Sequence, residues 1–304
     1  MRTAFIQQLI EEAKINDKVF LLVADLGYGV VENFAQQFPE RFLNVGIAEQ
    51  NMAGIAAGLA KEGFIPFIYS IGNFPTLRCM EQIRYDICYH QLNVNIIAVG
   101  GGYAYGSLGT SHHTTEEIGM LRTIPELCVC APADAKESKM ITSMAVNDPQ
   151  PYYIRLGKNG EQPVHEKESI QIEKGKPICI HQGEKVAVVA TGSIVWDALD
   201  FVKQNQLNVS VYSVPFIKPM QKESFLSLFS QYDRIITMEE HQASAGFGSA
   251  VLECLHDLLE EDTLQKLPKI KRIAIADKFS MVSGSQKYLK DLNGLGLKTE
   301  YFNL

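Results

Sequence analysis

No apolar run in the chain approaches the ~18 residues that a membrane-spanning helix needs, which excludes that class of protein. Basic charge is also scarce. The 28 Lys and Arg are outnumbered by 35 Asp and Glu, and the net charge of −7 offers no stripe for a nucleic-acid backbone. The start, MRTAFIQQLIEEAKIND, is mixed in charge and amphipathic. It has neither the apolar core nor the small-residue cleavage site of a secretory signal. None of the six cysteines (Cys79, Cys88, Cys128, Cys130, Cys179, Cys254) falls in a C-x-x-C pair. Their apolar surroundings predict reduced, mostly buried thiols in a cytoplasmic protein. Nucleotide fingerprints are missing as well. Gly27 and Gly29 meet Glu32 where a third glycine belongs, Gly246 and Gly248 meet Val251, and no P-loop spacing occurs. There is no internal repeat and no low-complexity segment.

What is present is the composition of a soluble globular protein, 46% hydrophobic and 21% charged over 304 residues. That length predicts two domains. Short β-branched apolar runs at 19–25, 64–70, 94–101, 127–133 and 151–157 read as strands, with helical patterns at 80–90 and 135–147 among them. Such alternation predicts a doubly wound, mostly parallel sheet, apolar throughout because helices cover both faces. A polar stretch rich in Gly, Lys and Glu follows and reads as a linker with some strand at its end. A second α/β block repeats the pattern, with strands at 186–192, 207–219, 232–241 and 271–280 and helices at 194–204, 221–230 and 246–260. The expected organisation is a first domain at 1–165, a linker at 166–184 and a smaller α/β domain at 185–304.

Open α/β sheets bind ligands beyond the carboxyl ends of their strands, which directs attention to Asp25, Ser70, Gly100–Gly102, Arg155 and Glu239–His241. Four segments carry candidate chemistry. In NVGIAEQNMAGIAAGLAKEG (44–63), Glu49 heads a helix whose Ala53, Gly54, Ala57 and Gly58 are expected to share a face with hardly any side chain. Glu49 reads as a cap interacting with the helix dipole, or as a desolvated acid able to hold or share a proton. In GNFPTLRCMEQIR (72–84), Phe74 is either ordinary core or an aromatic platform, and Arg78 either a surface ion pair or a ligand contact. GGGYAYGSLGTSHHTTEE (100–117) holds five glycines and the adjacent His112 and His113. Adjacent histidines diverge and rarely ligate one metal, so the loop reads better as presenting histidines to a polar substrate. MEEHQASAGFGSAV (238–251) reads either as an ordinary βα turn or as His241 and helix N-terminal amides facing a substrate or anion.

Taken together and in this order, these segments resemble the C-terminal half of transketolase. FLNVGIAEQNMAGIAAGLA is similar to the family's pyrimidine-domain acid motif and NFPTLRCMEQIR to its aromatic-Arg-acid-Gln-x-Arg segment. GTSHHTTEE, VCAPADAKE and PYYIRLGK match the elements that follow, so the resemblance spans nearly the whole chain. It implies a thiamine pyrimidine-binding domain followed by a transketolase C-terminal-like domain. It also implies thiamine diphosphate as cofactor and transfer of a two-carbon ketol unit from a ketose to an aldehyde. By that resemblance Glu49 contacts N1′ of the aminopyrimidine and Phe74 stacks on it. Ile71 stands at the pocket's first aromatic position, with Arg78 and with Asp25 near the cofactor and dimer interface. His112, with His113 and His241, faces substrate oxygens, and Arg155 aligns with an arginine that binds a sugar phosphate.

The family binds the diphosphate and its Mg²⁺ or Ca²⁺ through a G-D-G motif and a downstream Asn, and no G-D-G occurs in this chain. The resemblance therefore implies one subunit of a split enzyme, completed by a partner chain in an α2β2 heterotetramer. Leu108 and Gly100 stand here in place of the family's loop Asp and strand-end His, which points to a modified, deoxy or activated sugar. The alternatives are the beta chain of a 2-oxoacid dehydrogenase, a 1-deoxyxylulose-5-phosphate synthase-like enzyme, and a degenerate scaffolding subunit.

Overall fold

Strands without a polar face need cover on both sides, and the chain supplies it twice. The computed structural model describes every residue except 168, 262, 265 and 304. The first unit runs α1 (Arg2–Ile15), β1 (Val19–Val23), α2 (Glu32–Gln37), β2 (Phe42–Asn44), α3 (Glu49–Lys61), β3 (Ile65–Ile71), β4 (Asn95–Val99), α4 (Glu117–Arg122), β5 (Cys128–Cys130), α5 (Ala135–Asn147) and β6 (Tyr152–Leu156). The second runs β7 (Ile178–His181), β8 (Val186–Ala190), α6 (Ile194–Gln204), β9 (Ser210–Ser213), β10 (Phe216–Lys218), α7 (Lys222–Gln231), β11 (Arg234–Gln242), α8 (Phe247–Glu260), β12 (Lys269–Ile275) and α9 (Gln286–Leu292).

Two α/β domains with mostly parallel sheets result. The first sheet has seven strands in the order β10-β5-β6-β4-β3-β1-β2, and the second has five in the order β12-β11-β8-β9-β7. Alternation along the central strands divides the first core in two. Leu22, Ile68 and Ile96 pack with Met52, Ala53 and Ala56 of α3 and with Ile83 and Ile87 of a π-helical segment, Gln82–Cys88. Leu21, Phe67, Tyr69 and Ile97 pack on the other face, with Phe5 and Leu9 of α1 and Ile141 of α5.

The run expected as one strand over 207–219 breaks at Val214–Pro215. Proline cannot donate to a ladder, so the strand does not continue in register. β9 stays in the second sheet, whereas β10 crosses to the edge of the first and pairs antiparallel with β5. The second domain thus completes the first domain's sheet. The end of the expected linker carries β7, an antiparallel edge strand of the second sheet. Five of the six cysteines are buried and Cys179 is exposed; all six are free thiols. No helix among the described residues is long and apolar enough to cross a membrane.

Candidate active site

Glu49 is the first residue of α3 and is only 4% exposed. No side-chain hydrogen bond caps the helix, although Glu49 stands in its first turn, where the dipole favours negative charge. The carboxylate turns instead to the segment after β3, where Oε2 accepts a hydrogen bond from Arg78 Nη1 at 3.1 Å. Oε1 takes no partner among the described residues. Ile47, two residues before the acid, is exposed. The same Arg78 guanidinium lies over the Phe74 ring, 4.4 Å from its centroid. Phe74 in turn meets the His112 ring at 5.4 Å and 73°. Glu49, Arg78, Phe74 and His112 therefore form one continuous series of contacts, drawn from a helix start, a post-strand turn and the glycine loop. Half-buried Ile71 ends β3, and its carbonyl accepts from the Phe74 amide at 2.8 Å.

The small-residue face of α3 is not one face. Ala53 and Ala57 are buried, while Gly54 and Gly58 are exposed beside Gln50 and Asn51. A Cβ at either glycine would meet nothing within 4 Å, so no contact within the chain requires glycine there. Asp25, at the end of β1, is also exposed. Its Oδ1 accepts from Tyr28 Oη and Asn44 Nδ2, both at 3.3 Å, and its amide donates to Asn44 Oδ1 at 3.0 Å. Asn44 Oδ1 accepts again from the Gly46 amide, tying Asp25 to the turn that leads into Glu49.

The two histidines diverge as their adjacency dictates. His112 is half-buried, with Nδ1 3.0 Å from Ser111 Oγ. Burial, and secondarily the neighbouring His113, hold its imidazole below the usual range, so it is neutral at pH 7. His113 is turned inward against the Tyr103 ring at 5.0 Å and 90°. It lines a cavity of about 130 Å³ with Asn73, Tyr103, Glu116 and Phe279. Asn73, which the motif reading passed over, holds the loop in place: its Nδ2 donates to Ser111 O at 3.2 Å and His113 O at 2.7 Å. A side chain at Gly72 would collide with Thr114, so that glycine is what lets the loop come so near.

Arg155 and His241 are not where an open substrate site needs them. Arg155 is 5% exposed, and its Nε lies 2.6 Å from Oε1 of the fully buried Glu117. Its Nη2 donates to Thr114 O at 2.6 Å and Glu240 O at 2.9 Å. Burial works against the charge, but Glu117, Tyr153 and Glu240 together more than offset it and hold the guanidinium above its usual range. His241 is the penultimate residue of β11 and is fully buried. Its Nε2 accepts from the Gly119 amide at 3.2 Å, and Nδ1 sits 2.9 Å from Gln242 O. Both nitrogens are engaged inside the protein. The N-terminus of α8 is likewise filled from within, because Glu239 accepts from the Phe247 and Gly248 amides at 2.6 and 2.7 Å. Position at a strand end suggested ligand contact for these residues; within the chain alone, these groups already contact protein partners.

The two departures from the family motif have a physical reading. Gly100 has φ +90°, and a Cβ there would run into the Tyr105 ring, so Tyr105 occupies the space a strand-end side chain would fill. Leu108 is 54% exposed on the same loop. Lys158 Nζ lies 4.8 Å from the Tyr105 ring centroid, and Arg2 lies close enough to its hydroxyl to counter the upward push of burial on that group. Neither cation has a carboxylate partner among the described residues. No group of three or more His, Cys, Asp or Glu that could hold a metal ion occurs among them either.

Comparison with known proteins decides the family. Residues 1–161 match the transketolase pyrimidine-binding domain, and residues 175–297 match the transketolase C-terminal domain. The chain belongs to the transketolase family. It is 32% identical to one subunit of the apulose-4-phosphate transketolase of Phocaeicola vulgatus, over 84% of this chain and 83% of that one. A 1-deoxy-D-xylulose-5-phosphate synthase of Clostridium perfringens is 33% identical over 99% of this chain, which spans 49% of that longer protein. Among solved structures, a split-gene transketolase described as an inactive beta4 tetramer superposes with a TM-score of 0.84 at 34% identity, covering 97% of this chain and 93% of that one.

Proposed function

We propose that the chain is the C-terminal (beta) subunit of a split, thiamine-diphosphate-dependent transketolase, moving a two-carbon ketol unit from a ketose phosphate to an aldose. The observation that carries this reading is the Glu49–Arg78–Phe74–His112 series, because it joins a carboxylate with one unpartnered oxygen, an aromatic ring and a neutral imidazole in one run of contacts. Half of a cofactor site fits there. Glu49 Oε1 is free to hold a proton at N1′ of an aminopyrimidine, Phe74 and Ile71 supply its apolar bed, and Asp25 lies on the rim. When bound, thiamine diphosphate supplies the electron sink that carbon–carbon cleavage requires. His112 then offers a hydrogen bond to a substrate oxygen without adding charge.

The diphosphate half has no counterpart in this chain, which contains no G-D-G. A second chain carrying that motif, with Mg²⁺ or Ca²⁺, is the proposed partner in an α2β2 heterotetramer. One relative is itself a single subunit of a transketolase, and another, from a split gene, is described as an inactive beta4 tetramer; both support this division. The six free thiols fit a reducing, cytoplasmic setting. With Arg155 committed to Glu117, Lys158 and Arg2 are the cations placed to meet a sugar phosphate. Tyr105 and Leu108 make that wall less polar, which favours a sugar with a changed hydroxyl pattern. The relative named for apulose 4-phosphate fits such a substrate. The second reading, a 1-deoxyxylulose-5-phosphate synthase-like activity, has the Clostridium relative in its favour.

The experiment is reconstitution with a G-D-G-bearing partner chain, assayed for two-carbon transfer from ketose phosphates and, separately, for condensation of pyruvate with an aldose phosphate. Glu49→Gln is expected to assemble normally and to lower kcat on the order of 10²–10⁴-fold, the usual weight of a positioned proton partner. Full turnover in that variant would overturn the mechanism. Activity confined to pyruvate would favour the second reading.

A further inference from the structure

We infer that Glu240 of the second domain is a positioning residue that clamps the neck of the histidine loop and so sets where His112 stands. The loop is closed at its base by a short antiparallel bridge. The Gly102 amide donates to Thr114 O at 2.8 Å, and the Thr114 amide donates to Gly102 O at 2.9 Å. Glu240 enters at this neck from β11. Its Oε1 accepts from the Tyr103 amide at 2.6 Å, and its backbone carbonyl accepts from Arg155, which grips Thr114 O on the other side of the neck. A side chain at Gly102 would collide with the Glu240 carboxyl, so the acid is seated in a slot of its own shape. Gln286 of α9 fixes it from behind, with Nε2 at 2.9 and 3.2 Å from its two oxygens.

The second domain holds the rest of the loop too. Thr110 Oγ1 donates to Ser280 O at 2.9 Å, and the Gly284 amide donates to Gly106 O at 3.1 Å. Yet this domain gives no side chain to the Glu49–His112 series. Its contribution to the site is to hold the loop that carries His112 and Leu108. Burial raises the Glu240 carboxyl above its ordinary range, with Lys290 and the Tyr103 amide opposing. A buried amide left without its acceptor is costly.

That the loop faces substrate rests on the proposed transketolase reading; the clamp itself does not. Hydrogen exchange on the full isolated chain therefore tests it without cofactor, partner or activity. In Glu240→Ala, amides from Tyr103 to His113 are expected to exchange roughly tenfold faster or more, while β4 and β6 keep their protection. Glu240→Gln keeps an oxygen for Tyr103 and is expected to stay within about threefold of the parent. Unchanged loop exchange in Glu240→Ala, or an equal loss across β4 and β6, would overturn the proposal. If Glu240→Ala does not fold, Gln286→Ala decides: faster exchange confined to the loop supports the clamp, and unchanged exchange refutes it. In the reconstituted enzyme, Glu240→Ala is expected to raise the KM of the ketose roughly tenfold with thiamine diphosphate affinity unchanged, on the scale of one misplaced contact.

Discussion

Two carboxylate–arginine pairs in this molecule look alike in sequence and differ in kind. Glu49 and Arg78 meet at 3.1 Å with the arginine half exposed; Glu117 and Arg155 meet at 2.6 Å with both nearly sealed. In the first pair one carboxylate oxygen has no partner among the described residues. The second is locked by Tyr153, whose hydroxyl donates to Glu117 at 3.1 Å, and by two backbone carbonyls. Burial decides which pair is available for chemistry and which holds two domains together.

Removing the buried arginine separates the two roles most sharply. Arg155→Met leaves Glu117 charged and unpaired, and chemical denaturation should show a loss of ~3–5 kcal/mol, whereas Arg78→Met should change stability by less than ~1 kcal/mol. Equal losses would erase the distinction. The exposed glycines of α3 are next. Gly54→Leu adds a side chain where the chain has no neighbour, and it replaces glycine in a helix interior. The isolated variant should be as stable as the parent or up to ~1 kcal/mol more stable, yet fail to co-purify with the partner chain. Normal assembly would show that this face is not the junction.

The pH dependence of stability tests the buried junction more gently. Burial pushes the Glu239 carboxyl from its ordinary 4.5 up to about 7, against the pull of the Gly248 and Phe247 amides. A carboxyl raised in the folded state stabilises fully below its ordinary range, and that stability is lost as pH rises through about 7. The melting midpoint of the parent minus that of Glu239→Gln should therefore fall between about pH 4.5 and 7 and level off above. A difference that rises or stays flat over that window would contradict the assignment. His241 has the opposite sign, being lowered by burial, but it is common to both proteins and largely cancels.

Much of the fold was legible because its strands are apolar on both faces; β1, β4, β5, β6 and β8 each fall inside an expected run. The run at 207–219 was not, since one proline sends its end to another sheet. Glu49, Phe74 and His112 could be named from motif alone, and their grouping emerges from short loops that follow neighbouring strands. Arg155 and His241 could not be judged that way. Their partners, Glu117, Glu240 and the Gly119 amide, lie far off in sequence, and only the docking of the second domain reveals that these groups are already satisfied. Asn73, Tyr105 and Glu240 lay inside the candidate segments without being singled out; each matters through contacts with the glycine loop.

The central claim is that this chain holds the pyrimidine half of a cofactor site and borrows the rest. Calorimetric titration of thiamine diphosphate with Mg²⁺, into the chain alone and into its mixture with a G-D-G-bearing partner, tests it most directly. Tight binding only in the mixture is the expected result. Tight binding by the chain alone, or none in the mixture, would contradict it.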